Sequence, residues 1–276
     1  MSENNLTIRF YKPGDELQIN RLFASAFHIN RSREEWVWKF QNNPMGSSII
    51  VIGEIEDKIV AHIAAVPVGI KMGDKFYLCY QSLDSMADPL FNSRLIFMRV
   101  FRRLQEEIKN MGQVHFGFPN KKAHGLLTKK RIGENDLGKV DIFCIKPREV
   151  SFYMPALGLE EFNLQEINEF DDRFTCLWRD LSSLFKIKLI RDKEYLNWRY
   201  IYKPDNDYKV FASGDGGITG YIVLKVYESN GQKIGSIMDL FAPDDSLLCG
   251  NMLKNALVYF KSLRLISLFV TTEIGS

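Results

Sequence analysis

Two apolar periodicities alternate along the chain. Apolar residues three and four positions apart predict helices, and alternate positions or short apolar runs bounded by turn residues predict strands. One helix is predicted directly after the turn at residues 13–15. Further helices are predicted over residues 32–40, 92–111, 124–131, 175–184, 192–202 and 247–263. The predicted strands cover residues 7–10, 48–54, 59–70, 75–86, 113–118, 139–145, 208–212, 219–227, 233–241 and 265–271. This order of helices and strands indicates an α/β protein.

Part of this pattern occurs twice. The first copy reads E-x3-W-K-F-x3-P from Glu34 to Pro44, and the second reads E-x3-W-R-Y-x3-P from Glu194 to Pro204. Each copy continues into strands, and the third of these holds an aspartate, Asp84 or Asp239. A repeat at this distance predicts two copies of one fold. We expect a first domain over residues 1–147 and a second, shorter and degenerate domain over 148–276.

Composition narrows the class of protein. The chain has 276 residues and a net charge of +2, which gives no indication of nucleic-acid binding. The four cysteines lie far apart with no C-x-x-C spacing, which is typical of the reducing cytoplasm and argues against a zinc site. The histidines have no metal-ligand spacing. No apolar run approaches the roughly 20 residues of a membrane helix, and residues 1–7 show no signal sequence. We expect a cytoplasmic protein without a metal.

Two segments carry a family resemblance. The first runs from Gln81 to Leu104, and the second is Phe116-Gly117-Phe118-Pro119-Asn120 followed by residues 121–125. Together with the order of elements, they resemble the GNAT superfamily of acyl-CoA N-acyltransferases, and a subgroup that is often found as fused double domains. The resemblance implies tandem GNAT-like domains, each with a mixed, mainly antiparallel central sheet flanked by helices.

The same resemblance implies a site for acetyl-CoA or another acyl-CoA. The pantetheine arm would pair with the fourth strand at Leu83, Ser85 and Met86, and the N-terminus of the next helix would bind the pyrophosphate. Asn120 matches a position that faces the cofactor, and Lys121 and Lys122 would meet its 3′-phosphate. The residues of the implied pyrophosphate loop are Asn92, Ser93, Arg94, Leu95 and Ile96.

The loop departs from the family pattern at two positions. Asn92 stands where the family has arginine or glutamine, and Leu95 stands where it has the middle glycine. Glycine there lets a phosphate approach the backbone, so a leucine side chain is expected to crowd it. In the second copy Asp244 and Asp245 precede the corresponding helix, and their charges would repel a phosphate. We expect that copy to bind no cofactor, but to cover a sheet edge, shape an acceptor cleft or mediate dimers.

Two residues are candidates for proton transfer. His124 matches the position of a tyrosine that protonates the leaving thiolate in the subgroup, and a histidine there is suited to act as acid or base. The alternative is an exposed histidine on a basic helix. Asp84 is a candidate base or ligand of the substrate amine, with a structural hydrogen bond as the alternative. The basic run Lys129-Lys130-Arg131 is more simply a solvated face.

The function these expectations support is N-acetyl transfer. An acyl group would move from acyl-CoA to a primary amine by direct attack in a ternary complex. The acceptor would be an amino sugar, an amino acid or a cell-envelope precursor, and a strand amide, that of Met86, would hold the oxyanion. Two alternatives remain: an inactive GNAT-like scaffold, favoured by Asn92 and Leu95, and an aminoacyl transferase of the related double-domain type.

Overall fold

The computed structural model describes residues 5–128, 134–140, 142–145, 164–214, 217–229, 231–263 and 267–271. The chain divides into two compact units, residues 1–137 and 138–276. Each unit contains a sheet with its own hydrophobic cores.

The first unit begins with a strand and two helices and continues into a sheet. Its strands are β1 (Thr7–Phe10), β2 (Ile49–Ile55), β3 (Lys58–Met72), β4 (Lys75–Ala87) and β5 (Val114–Gly117). Its helices are α1 (Glu16–Phe27), α2 (Arg33–Phe40), α3 (Ser93–Asn110) and α4 (Lys121–Leu127). The strands lie in the order β1-β2-β3-β4-β5, and only the pair β4 and β5 is parallel.

Both faces of this sheet are covered by helices. Strand β3 is buried along most of its length, as expected of a central strand. One core packs α3 against the sheet through Ile96, Val100 and Leu104. The other core packs α1 and α2 through Ile19, Trp36 and Phe40. Gly53 allows α3 to lie close to the sheet, since a Cβ at this position would stand only 3.2 Å from the side chain of Ile96.

The second unit repeats the meander and helix of the first. Its strands are β6 (Ile142–Ile145), β7 (Gln165–Ile167), β8 (Ile187–Leu189), β9 (Tyr208–Ser213), β10 (Gly220–Ser229), β11 (Gln232–Phe241) and β12 (Ser267–Thr271). Its helices are α5 (Asp172–Ser182), α6 (Lys193–Leu196, continued by a π-helical turn over Asn197–Ile201) and α7 (Ser246–Ser262). The sheet order is β6-β12-β11-β10-β9-β7, with β11 and β12 parallel.

The predicted fold class is confirmed: the structure is α/β, with mainly antiparallel sheets flanked by helices. Three details of the sequence prediction were wrong. The strand expected at the end of the first copy pairs with β12 in the second sheet, because it completes an edge there. The helix expected from His124 begins at Lys121, since Asn120 caps it. Strands β7 and β8 were not predicted, because three residues carry too little periodicity.

The repeated sequence has the same local structure in both units. Ser32 and Asp192, 160 residues apart, are the N-caps of α2 and α6, and each side chain accepts from the amide three residues later. Each helix also closes with a bond from residue i to residue i−5, from Asn42 to Val37 and from Tyr202 to Asn197. The repeat therefore extends to cap and helix end.

Candidate acyl-transfer site

The candidate site lies where β4 and β5 separate. Their parallel pairing ends at Ser82 and Gly117, while β4 continues to Ala87. Beyond that point the backbone edge of β4 that faces away from β3 has no partner strand in the described part of the chain. An unpaired strand edge presents N–H and C=O groups to whatever binds there.

A β-bulge interrupts β4 in this free stretch. His62 pairs with Met86 and Ala64 with Leu83, so Asp84 and Ser85 together oppose the single residue Ile63. Asp84 has a positive φ of 49°, in the left-handed region that favours glycine. The bulge thus depends on holding a non-glycine residue in a disfavoured conformation.

The Asp84 carboxylate is buried between two cations. Its oxygens accept hydrogen bonds from Arg31 and from Lys39, the latter at 2.8 Å, and its side chain is 9% exposed. Burial alone would raise the pKa of this carboxyl, but the charges of Lys39 and Arg31 outweigh burial and hold the pKa below its usual value. Asp84 is therefore ionised and engaged at neutral pH.

Arg31 is enclosed by aromatic rings. Its guanidinium carbon lies 4.2 Å from the ring centre of Phe23 and 4.9 Å from that of Trp36, and its side chain is 1% exposed. Sequence reasoning missed Arg31. The available signal was the repeat itself, because Arg31 and Arg191 lie 160 residues apart, three residues before the paired Glu34 and Glu194.

His62 completes the surroundings of Asp84. Its Nδ1 lies 2.8 Å from the Asp84 carbonyl oxygen, so Nδ1 carries the hydrogen and donates it. Burial lowers the pKa of His62 from 6.5 to about 4, and nearby Asp84 offsets only part of that effect. The imidazole is therefore neutral at pH 7, with its tautomer fixed by the bulge carbonyl.

The depressed pKa of His62 predicts a pH-dependent stability. Between pH 6.5 and about 4 the unfolded chain binds a proton at this residue that the folded chain does not, so stability falls as the pH is lowered through this window. From pH 7 to 4.5 the loss is about 2–3 kcal/mol from this residue. Urea unfolding of the parent and of His62→Asn, which keeps an N–H donor but cannot titrate, measures it. Equal pH dependence in both proteins would contradict the assignment.

The strand register decides which amides face the free edge. The Asp88 amide donates to the Val60 carbonyl at 2.8 Å, so residues 88 and 86 direct their backbone groups toward β3. The N–H of Met86 consequently faces β3, and its side chain is buried in the core. The N–H of Ala87 faces the opposite, unpaired edge. The Met86 amide, expected to hold the oxyanion, therefore does not face the free edge, whereas the Ala87 amide does. Ser85 is exposed and Leu83 is half-buried.

The loop after β4 leads into the N-terminus of α3. Asp88 organises this loop, because its carboxylate accepts from the Leu90 amide and its carbonyl from the Phe91 amide. The Asn92 side chain caps α3 by accepting from the Leu95 amide at 3.4 Å. The amides of Asn92 and Arg94 donate to no acceptor in the described part of the chain. The first turn of this long helix contains no acidic residue, so its start is suited to an anion.

The side chains of the predicted loop residues differ in exposure. Asn92, Arg94 and Leu95 are exposed, Ser93 is half-buried, and Leu95 is 46% exposed. Ile96 is fully buried against the sheet, and its amide donates to the Asn92 carbonyl. Three of the predicted residues are therefore open to a ligand, and Ile96 supports the helix.

His124 lies on α4, which follows β5. Its Nε2 lies 3.0 Å from a carboxylate oxygen of Asp136, and both side chains are about half exposed. The Asn120 side chain accepts from the Ala123 amide and so begins this helix. The structure records no contact between His124 and Asp84 within the described residues. The carboxylate partner orients the imidazole, as a proton-transfer group requires.

The basic residues near α4 are described only in part. Lys121 is exposed at the start of the helix. The side chain of Lys122 and the whole of the run Lys129-Lys130-Arg131 lie outside the described residues.

The second unit contains a related but different cluster. Asp239 on β11 accepts from Arg191 at 3.1 Å, from the Tyr221 hydroxyl at 3.2 Å and from the Tyr200 hydroxyl at 3.3 Å. Burial raises the pKa of both tyrosines well above the usual value, so the hydroxyls remain donors. The bulge is present too, with Met238 as the extra residue. At the start of α7 the Asp245 carboxylate accepts from the amides of Leu247 and Leu248.

Comparison with known proteins identifies a similar family and a shared fold. Residues 7–122 match the family model described as an acetyltransferase (GNAT) domain. This segment is therefore similar to a GNAT domain, and the fold of the chain is GNAT-like. No curated protein matches the sequence.

Three solved structures share the fold at low identity. A probable N-acyltransferase from Enterococcus faecalis V583 has a TM-score of 0.71 at 10% identity, over 96% of this chain and 64% of that one. A GCN5-related N-acetyltransferase from Anabaena variabilis ATCC 29413 has a TM-score of 0.72 at 12% identity, over 98% and 66%. Saccharomyces cerevisiae N-myristoyltransferase with bound myristoyl-CoA has a TM-score of 0.64 at 10% identity, over 98% and 74%. The chain spans less than two thirds of the length of the first two.

No helix in the described ranges is both long enough and apolar enough to cross a membrane.

Proposed function

We propose that the protein is an acyl-CoA-dependent N-acyltransferase whose first unit binds the acyl donor and transfers its acyl group to a primary amine. One observation carries the proposal: in a GNAT domain, the free edge of β4 leads directly into a helix start with two amides that have no acceptor in the described chain. A strand edge suits an amide-containing arm, and a helix start suits a pyrophosphate.

The residues present fit acyl-CoA, whose thioester is reactive enough for an amine to attack directly. The edge of β4 from Leu83 to Ala87 would pair with the pantetheine arm. The amides of Asn92 and Arg94, with the Arg94 guanidinium, would bind the pyrophosphate. Fold neighbours include N-myristoyltransferase with bound myristoyl-CoA, and acetyl-CoA is the donor we propose first.

Two groups of the chain would carry the chemistry. The N–H of Ala87 would donate to the oxygen that gains charge as the amine attacks the carbonyl carbon. As the C–N bond forms and the C–S bond breaks, the amine nitrogen would lose a proton to water and His124 would give a proton to the leaving sulfur, with Asp136 holding the ring. The acceptor would be a small primary amine, such as an amino sugar, an amino acid or a cell-envelope precursor.

We also propose that the chain is a tandem of two GNAT-like domains and that only the first binds the donor. The second helix start already holds a carboxylate, since Asp245 occupies the amides that a phosphate would need. A scaffold without catalysis is the second candidate, because Leu95 projects from the turn that holds the proposed pyrophosphate amides.

Calorimetric titration with acetyl-CoA tests the proposal. We expect the parent to bind at one site per chain with a micromolar Kd. Arg94→Ala is expected to weaken binding about three- to tenfold, and most strongly at low salt, because it removes a charge-assisted contact. Arg99→Ala, an exposed arginine further along α3, is the matched control and should leave the Kd unchanged.

A second pair of variants separates enzyme from scaffold. Leu95→Gly opens the helix start, and Leu248→Gly makes the same change three residues after the N-cap of α7. Binding by Leu95→Gly but not by the parent would favour the scaffold. If neither the parent nor Leu95→Gly binds acetyl-CoA, acyl-CoA is excluded as the ligand, and the fold assignment is unaffected.

A further inference from the structure

We infer that Arg31, acting through Asp84, and His62 are positioning residues that fix the bulge of β4 and thereby aim the Ala87 N–H at the thioester carbonyl. This inference rests on the proposed function. It gives Asp84 a role in backbone geometry in place of proton transfer.

Asp84 is anchored from three places in the fold. Arg31 lies before α2, Lys39 lies on α2, and both donate to the carboxylate. His62 on β3 donates to the carbonyl of the same residue. A non-glycine residue at positive φ persists only where its surroundings determine it, and here both its side chain and its carbonyl are held. Two of the anchors are almost completely buried, so they cannot easily shift.

The bulge determines which amide reaches the free edge. Successive residues of a strand direct their backbone groups to opposite edges, so one extra residue in β4 exchanges the two sets beyond it. With Asp84 and Ser85 opposite Ile63, the Met86 amide faces β3 and the Ala87 amide faces outward. If Asp84 left the left-handed region and the bulge were lost, Ala87 would turn its N–H toward β3. The contacts that hold Asp84 therefore decide whether the Ala87 N–H faces the free edge, where it could donate to the oxyanion.

The second unit offers an internal comparison. Asp239 is also held by an arginine, but it has no positive φ, and its bulge residue is Met238. Its remaining donors are two tyrosine hydroxyls that contact the side chain and not the backbone. Arg191 thus binds an aspartate carboxylate beside a bulge in the second unit, outside the proposed site, and provides a matched control for Arg31.

The test uses acetyl-CoA labelled with 13C at the thioester carbonyl and bound to the full chain. A hydrogen bond to this oxygen lowers the carbonyl stretching frequency, which difference infrared spectroscopy measures without an acceptor amine. We expect a lower frequency on the parent than in free solution. Arg31→Met should lose at least half of this shift, with the Kd for acetyl-CoA changed less than threefold. Arg191→Met should keep the full shift.

A rescue variant separates positioning from general stability. Glycine adopts the left-handed region freely, so Arg31→Met combined with Asp84→Gly should restore the shift without the ion pair. If Arg31→Met does not fold, Lys39→Met, which removes a partly exposed anchor, should show a smaller loss. A full shift in the folded Arg31→Met protein would overturn this inference but leave the proposed function standing. The same holds if a parent that binds acetyl-CoA shows no shift. A parent that does not bind acetyl-CoA overturns the proposed function and this inference together.

Discussion

Asp84→Ala is expected to lower the free energy of unfolding by about 3–5 kcal/mol, because it leaves the buried Arg31 guanidinium without its carboxylate. The side chain of Arg31 is 1% exposed and lies against aromatic rings, so water cannot replace the lost partner. Arg31→Met should cost less, since Lys39 still neutralises the Asp84 carboxylate and is itself partly exposed. Urea unfolding at pH 7 and low salt measures both changes.

The double variant and the second unit provide the controls. Arg31→Met with Asp84→Gly removes both charges, and we expect it to recover at least half of the loss caused by Asp84→Ala. Asp239→Ala leaves Arg191 and two tyrosine hydroxyls without the shared carboxylate and should cost a similar amount. A loss below about 1 kcal/mol for Asp84→Ala would mean that the guanidinium finds another partner.

The largest effect on activity is expected from Ala87→Pro. Proline removes the N–H proposed to hold the oxyanion, and the loss of one such donor lowers kcat by about 10²–10³-fold. The substitution spares the sheet, because the Ala87 amide faces the unpaired edge and proline is accepted on such an edge. Release of the CoA thiol in the presence of an amine acceptor measures kcat, and acetyl-CoA titration measures binding.

Two further variants define what the loss means. Ala87→Gly keeps the N–H and should retain kcat within about threefold if the amide, and not the methyl group, is what acts. Met86→Pro would remove a ladder bond to β3 and should destabilise the first unit strongly, unlike Ala87→Pro. Wild-type kcat in a folded Ala87→Pro protein would exclude this amide as the oxyanion donor.

The sequence predicted most of the long elements. Strands β2 to β4 and helix α3 are long enough for their own residues to show a clear apolar period, so hydrophobic periodicity was sufficient to predict them. The partner of β6 was mispredicted, because strand pairing depends on residues more than a hundred positions away. Short strands such as β8 carry no usable pattern.

The sequence pointed to candidate residues but not to the contacts that these residues make. The repeat pointed to Asp84 and Asp239, and the helix start pointed to residues 92–95. Arg31 is separated from Asp84 by more than fifty residues, and no local rule joins them. Whether the Ala87 or the Met86 amide faces the free edge depends on a bulge, and nothing in the sequence shows that an aspartate will adopt a positive φ.

The two helix starts differ in what satisfies their amides. In α7 the Asp245 carboxylate already accepts from the amides of Leu247 and Leu248, where an anion would bind, so these two amides are satisfied without a ligand. In α3 only the weaker Asn92 contact serves the same purpose, and two amides are left to solvent. Amide hydrogen exchange should therefore be slow at the start of α7 at all times, and at the start of α3 only when donor is bound. The second copy thus holds a carboxylate of its own chain at the place where the first presents amides without an acceptor in the described chain.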